Sequence, residues 1–198
     1  MTAHGRSPAA PAVARREPRE VRIVGGQWKR SKLPVADKPG LRPTPDRVRE
    51  TLFNWLGQDL AGWTVLDAYA GSGALGFEAG SRGALQVTLL ERDAQLAASL
   101  KDSARRLKAT NLQVECADAL AWMGRAAPGR LDLVLLDPPF AQDLFLASVK
   151  AALPLLSPQG LIYLESPEPV ALPEDWGLTR WREGRAGAVH YALLRRSG

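Results

Sequence analysis

The sequence predicts an α/β fold built on a mostly parallel, seven-stranded sheet that ends in an antiparallel C-terminal strand. Three observations carry that expectation. From Trp63 onward, short apolar runs of strand length alternate with segments of helical period. A glycine-rich turn, Gly71 to Gly76, joins the first of those runs to a helix. The last two runs are separated only by the turn from Gly184 to Gly187, too short for a crossover and suited to an antiparallel hairpin.

In chain order, residues 1–20 are rich in Pro, Ala and Arg and predict a disordered basic tail. Val21–Val24 and Lys32–Val35 are β-prone and flank a basic stretch led by Gly25 and Gly26. They predict an irregular hairpin, and with the loop “DKPGLRPTP” they make residues 21–43 an extension. Thr44 is placed to cap a helix with Pro45 in its first position. Val48, Leu52, Leu56 and Leu60 recur every fourth residue and predict an amphipathic helix over 45–60. Strands follow at 64–69, 86–91, 112–118, 131–137 and 160–166, with helices at 74–82, 93–108, 119–123 and 142–153 between them. Runs 178–184 and 188–195 close the sheet, so that 44–198 forms one domain.

A chain of 198 residues, 45% hydrophobic and 24% charged, is that of a globular protein able to bury its own core. The single cysteine, Cys116, excludes an internal disulfide and sits in an apolar run, where a buried inert thiol is expected. No Cys/His spacing suits a metal. There is neither an apolar run long enough to span a membrane nor a signal-peptide core, so a cytoplasmic protein is expected. Nothing calls for a second subunit, and a monomer is expected. The first 50 residues hold 12 Lys/Arg against five acids, a net +7, which leaves −2 for the rest of the +5 chain. Such asymmetry fits a nucleic-acid partner or a solvated basic tail.

“LDAYAGSGALGFEA” follows the first strand of the alternating region. Gly71, Gly73 and Gly76 meet the G-x-G-x-x-G spacing in the strand–turn–helix context that the motif requires. Such glycines let the backbone approach a ligand and present N–H groups at a helix N-terminus. Asp67, Glu91 and Asp118 end the first, second and third strands of this region. Ligands of open parallel sheets bind at that carboxyl edge. An acid ending the second strand can accept both ribose hydroxyls, and one ending the third can accept an adenine amine. Singly, each acid also reads as a turn or cap residue; together beside a glycine loop they point to an adenosine site. Asp67 would repel a pyrophosphate and suits a ligand carrying an amine or sulfonium, which argues against a dinucleotide.

“LDLVLLDPPF” (131–140) is a buried strand that ends in an acid, two prolines and a ring. It lies across the switch point from the glycine loop, facing the reactive part of a bound cofactor. The lone pair of an exocyclic nucleobase amine is delocalised into the ring, which makes the amine a poor nucleophile. The Asp137 carboxylate and the Pro138 carbonyl can accept its two N–H bonds and turn the lone pair toward an electrophile. The prolines pre-align those acceptors, and Phe140 offers a face to an extruded base. The plain alternative is a proline-rich loop that ends a strand.

The glycine loop with Asp-Pro-Pro-Phe resembles the class I S-adenosylmethionine-dependent methyltransferases that act on amino nitrogens. “RIVGGQWKRSKLPV”, “LRPTPDRVRETLFNWL”, “DAYAGSGALGFEA”, “LLERD” and “LLDPPF” extend the resemblance, from about Val21 to about Leu194, to the bacterial 16S ribosomal RNA guanine-N2 methyltransferases. The resemblance implies a Rossmann-like class I fold. It implies methyl transfer from S-adenosylmethionine to the N2 amine of guanine 966, in 16S rRNA or the assembled small ribosomal subunit. It also implies roles. Gly71, Ser72 and Gly73 cradle the methionine part, with Asp67 near its amine. Glu91 holds the ribose and Asp118 the adenine, with Arg92 and Ala119 beside them in the cofactor set. Thr44 and Arg47 lie in a segment that folds over the cofactor, with Arg47 for its carboxylate. Asp137, Pro138 and Phe140 hold the guanine, with Pro139 beside them. Arg22, Lys29, Arg30 and Lys32 grip RNA, and Trp28 either stacks on it or packs. “GAVHYALL” departs from the family pattern, which places a tyrosine near Leu194.

Other readings stay open at this level. Asp-Pro-Pro-Phe alone does not separate guanine from adenine N6 or a protein glutamine. A nicotinamide-dependent oxidoreductase and a non-catalytic RNA-binding module are further alternatives, and neither accounts for the intact motif. Arg105, Arg106 and Lys108 read as a solvated helix end, where cations suit the dipole.

Overall fold

The computed structural model describes residues 20–38 and 43–197. The tail expected over 1–20 lies outside them except for Glu20, and so do residues 39–42 of the loop. Glu20 opens the first strand. β1 (Glu20–Arg22) and β2 (Lys32–Pro34) pair antiparallel, with Val21 opposite Leu33. Val21 and Leu33 are buried with Ile23 against the main core, so the hairpin is packed onto the domain rather than standing free of it.

The strands of the main sheet are β3 (Thr64–Asp67), β4 (Gln86–Glu91), β5 (Leu112–Cys116), β6 (Leu131–Leu136), β7 (Leu156–Ser166), β8 (Leu178–Ala186) and β9 (Val189–Arg196). The helices are α1 (Asp46–Trp55), α2 (Ala74–Ser81), α3 (Ala94–Arg106), α4 (Ala119–Met123) and α5 (Phe145–Ala152). The strand order is β5-β4-β3-β6-β7-β9-β8, and β9 alone runs antiparallel to its neighbours. This is the expected seven-stranded sheet. The chain builds outward from β3 to β5 and then returns to the other side of β3 with β6, which makes the β3/β6 boundary the switch point.

Side chains alternate between the two faces of a strand, and the core divides accordingly. Val65, Leu133, Leu135, Leu161 and Tyr163 pack with α1 and α2, whereas Leu66, Val134, Leu136, Ile162 and Leu164 pack with α4 and α5. Both faces are covered, which is why these strands read as near-continuous apolar runs.

Several boundaries differ from the expectation, each for a local reason. α1 ends at Trp55, because Gly57 and Gln58 take left-handed backbone (φ +89° and +70°). Leu60 is nonetheless fully buried in the same cluster, so the fourfold apolar period outruns the helix. Thr44 does not cap α1: Pro45 occupies that position, with no side-chain cap. Asp143, at φ +46°, separates a short 3₁₀ turn (Phe140–Gln142) from α5. Cys116 is exposed rather than buried, because β5 is an edge strand with few fully covered positions. Among the described residues no helix is long and apolar enough to cross a membrane.

Candidate active site

The carboxyl ends of β3, β4, β5, β6 and β7 form one edge, and the residues singled out from the sequence gather along it. Past β3 the chain turns sharply: Ala70 N–H donates to Leu90 O (2.9 Å) and Gly73 N–H to Ala70 O (2.6 Å). Gly71 and Gly73 take left-handed backbone, at φ +52° and +80°. A Cβ on Gly73 would stand 2.6 Å from Leu100 Cδ2 and 2.7 Å from the Phe77 ring, so side-chain-free backbone is required there. Ser72 is buried in the same turn.

Two of the three acids expected along this edge, Asp67 and Glu91, order this loop, and the third caps a helix. Asp67 Oδ2 accepts the Gly76 N–H at 2.8 Å, inside the first turn of α2. Glu91 accepts the Gly71 N–H through Oε2 (3.0 Å) and the Asp93 N–H through Oε1 (2.8 Å). Asp118 caps α4, taking the Ala121 N–H through Oδ1 at 2.9 Å. Cap and ligand-binding roles are compatible, because a carboxylate offers about four lone-pair sites. Ala119, the first residue of α4, is buried, whereas Arg92 is exposed.

Asp137 and Pro138 follow β6 directly; Asp67 on the neighbouring strand is level with Leu135, two residues before Asp137 and on the same face. Pro138 is buried, Pro139 is exposed, and the Phe140 ring is 40% exposed while leaning on Phe145 at 5.9 Å. An aromatic braced by a neighbour and 40% exposed can receive a planar group. Tyr69, between Asp67 and the glycine loop, joins its hydroxyl to Ser148 of α5 at 2.6 Å.

Glu165, near the end of β7, is the functional candidate that the sequence reading missed. It is 4% exposed and accepts from Thr44 Oγ1 (2.8 Å) and Tyr163 Oη (2.9 Å), both on Oε1. Thr44 thus reaches the site as an anchor for this carboxylate rather than as a helix cap. Glu165 sits 121 residues from Thr44, and a lone acid at a strand end carries no signal of its own.

Asp67, Asp137 and Glu165 follow Val65, Leu135 and Tyr163 by two residues and share their face of the sheet. Crowding three carboxyls in low dielectric has a predictable result. Burial pushes Asp67 up to about 7, opposed by the Gly76 N–H and aided by Glu91. Burial lifts Asp137 well above the usual carboxylate range, with Glu165 and then Asp67 adding repulsion. Burial also raises Glu165, against the two hydroxyls that favour its charge. The edge therefore favours a cation laid across it, or donors aimed at it.

The remaining expected residues divide. Arg47 is exposed near the start of α1; its neighbour Arg49 turns inward and is buried. Arg22, Lys29, Arg30 and Lys32 are exposed on the hairpin. Trp28 is not: its ring is half-buried against Phe77 (6.3 Å) and lies over Gly80, and its backbone N–H donates to Ser81 Oγ at 2.9 Å. Of the two readings of Trp28, the structure supports packing.

The comparisons agree with this architecture. The family described as conserved hypothetical protein 95 matches residues 21–195. The ribosomal RNA small subunit methyltransferase D of Escherichia coli K12 is 42% identical over 182 residues, covering 89% of this chain and 90% of its own. Its Haemophilus influenzae namesake is 42% identical over 181 residues, covering 88% and 93%. A solved Escherichia coli structure described as a methyltransferase superposes with a TM-score of 0.79 at 41% identity, over 89% of this chain and 98% of that one. The chain therefore belongs to the conserved hypothetical protein 95 family, together with the ribosomal RNA small subunit methyltransferase D proteins.

Proposed function

We propose that this protein methylates the exocyclic N2 amine of guanine 966 in 16S rRNA, using S-adenosylmethionine, on the RNA or on the assembled small subunit. We place it as a monomer in the cytoplasm. The observation that carries the reading is that Asp67 and Asp137 share one face at the carboxyl edge of the sheet. An acid suited to a ligand's ammonium and an acceptor pair suited to an aromatic amine end neighbouring strands on one face. The curated names of the relatives support ribosomal RNA as the substrate.

The residues present fit the donor. Gly71 and Gly73 take left-handed backbone, and a Cβ on Gly73 would strike Leu100 and Phe77, so the turn beside Asp67 keeps a tight, side-chain-free form. Asp67 is a buried carboxyl without a buried cation beside it among the described residues, and the donor's ammonium answers that need. Glu91 and Asp118 stand at the ends of β4 and β5 for the ribose and adenine. When bound, the donor supplies a methyl group already activated on a sulfonium.

The protein's own part is orientation. The Asp137 carboxylate and Pro138 carbonyl accept the two N–H bonds of the amine and aim its lone pair. Phe140 stacks on the extruded base. No strong general base is needed: the product amine passes a proton to Asp137 or to water after transfer. Arg22, Lys29, Arg30 and Lys32 meet RNA phosphates, a contact that weakens steeply with salt.

The test is methyl transfer from labelled S-adenosylmethionine to unmethylated small subunits, their stripped RNA and duplex DNA, followed by nucleoside identification. N2-methylguanosine at position 966 is the expected product. Label in N6-methyladenosine, in DNA or in protein glutamine would move the activity to another substrate of the same fold.

A further inference from the structure

We propose that Glu165 reads the ring N1–H of the target base and so makes the site selective for guanine. This rests on the guanine-N2 reading above. Guanine presents two adjacent donors on its Watson–Crick edge, the N2 amine and N1–H. If Asp137 and the Pro138 carbonyl take both N2 hydrogens, N1–H needs an acceptor of its own, since a buried donor left unpaired is costly.

The fold supplies one acceptor in the right place. β6 and β7 are parallel and in register, Leu136 beside Leu164, so the next residues, Asp137 and Glu165, stand side by side. Neighbouring strands lie about 4.8 Å apart, within the span of one base edge and its hydrogen bonds. Both carboxyls lie on the α1/α2 face of the sheet. The Thr44 and Tyr163 hydroxyls both donate to Oε1; neither reaches Oε2. Two donors hold Oε1 as an acceptor, and Oε2 is left for the base. A base with a bare N1 lone pair would set two acceptors against each other, which is how a site rejects rather than merely fails to attract.

A purely structural role would account for the same hydrogen bonds, with Glu165 only ordering the segment before α1 through Thr44. The experiment separates the two. A target RNA is made with guanine or with 2-aminopurine at the modified position; the analogue keeps the N2 amine, has a bare N1 and lacks O6, so the role of Glu165 is read from the change in preference between wild type and variant. The wild-type protein is expected to prefer guanine in kcat/KM by about 10,000-fold, the scale seen when a hydrogen-bonding site meets a substrate lacking the group.

Glu165→Gln offers an amide N–H to a bare N1. It should lose guanine activity while keeping or gaining activity on 2-aminopurine, shrinking the preference by about tenfold or more. S-adenosylmethionine affinity, measured by calorimetry on the same protein, should hold. An unchanged preference in a variant that binds cofactor normally would overturn the assignment. If Glu165→Gln does not fold, Tyr163→Phe removes one anchor and keeps the carboxylate; a several-fold smaller preference supports the proposal, and an unchanged one overturns it. Wild-type protein that forms no N2-methylguanosine would instead sink the guanine reading itself, before Glu165 is tested.

Discussion

Glu78 of α2 and Arg49 of α1 form an ion pair at 2.9 Å with neither side chain exposed to solvent. The same carboxylate accepts the Val24 N–H (2.8 Å), the Gly25 N–H (2.7 Å) and the Arg82 guanidinium (2.9 Å). One acid therefore fastens the basic hairpin, α1 and α2 together, and the hairpin is held at a fixed place relative to the glycine loop. Removing one partner of a buried pair strands the other charge, at about 3–5 kcal/mol. Arg49→Ala should lose roughly that much in urea unfolding, and the hairpin amides of Val24 and Gly25 should exchange faster with solvent. Wild-type stability would show that the network is dispensable.

The raised pKa of Asp67 fixes the direction of two pH effects. Its carboxyl ionises at about 7 in the folded chain against 3.8 for the ordinary group. The folded state thus holds an extra proton between those values, so this group's contribution to stability is full below about pH 4 and is lost as pH rises through about 7. Asp67→Asn should therefore melt above the wild type near pH 8, with the gap closing toward about pH 4. A ligand ammonium draws out the ionised form. S-adenosylmethionine affinity should strengthen as pH climbs from about 6 to 7.5, and the variant should lose that slope. Calorimetry across the range checks both, and a flat wild-type profile would separate Asp67 from the ligand.

Gly73→Ala places a methyl group against Leu100 and Phe77 on backbone at φ +80°. Strain of this kind costs about 1–3 kcal/mol, and relief requires the loop to move. The expected outcome is a lower melting temperature together with weakened cofactor binding. Loss of stability with unaltered binding would show that the turn does not shape the ligand site.

Much of the fold was legible because its signals are local. A strand covered on both faces is a run of apolar residues, as “LDLVLL” shows, and the Gly71–Gly73 turn announces itself by composition. The acids at the ends of β3, β4 and β5 were legible because each closes its strand or stands within two residues of its end. Glu165 was not, because its meaning comes from β7 lying beside β6 and from Thr44 arriving from before α1. Arg49 reads as a solvated helix residue until α2 supplies Glu78, 29 positions away. Cys116 was misread, and Trp28 left undecided, for the converse reason: only the sheet order shows that β5 is an edge, and only the docked hairpin shows that Trp28 covers Gly80.

The Phe140 ring is 40% exposed, so the proposed stacking on the base, rather than core packing, is its expected contribution. Base–aromatic stacking is worth about 1–3 kcal/mol by alanine substitution, or roughly 5- to 150-fold in kcat/KM. Phe140→Ala should lose activity on RNA within that range while its melting temperature and cofactor affinity stay close to wild type. Full activity would remove the ring from the mechanism.

The orientation of the amine by Asp137 is tested most directly by single-turnover methyl transfer from Asp137→Ala, alongside wild type, on the substrate that the wild type methylates. Cofactor affinity is measured on the same preparation. The account predicts a fall of about 1,000-fold or more in the transfer rate, the scale of losing a preorganised electrostatic group, with S-adenosylmethionine bound as before. Transfer at the wild-type rate, with cofactor bound, would contradict it.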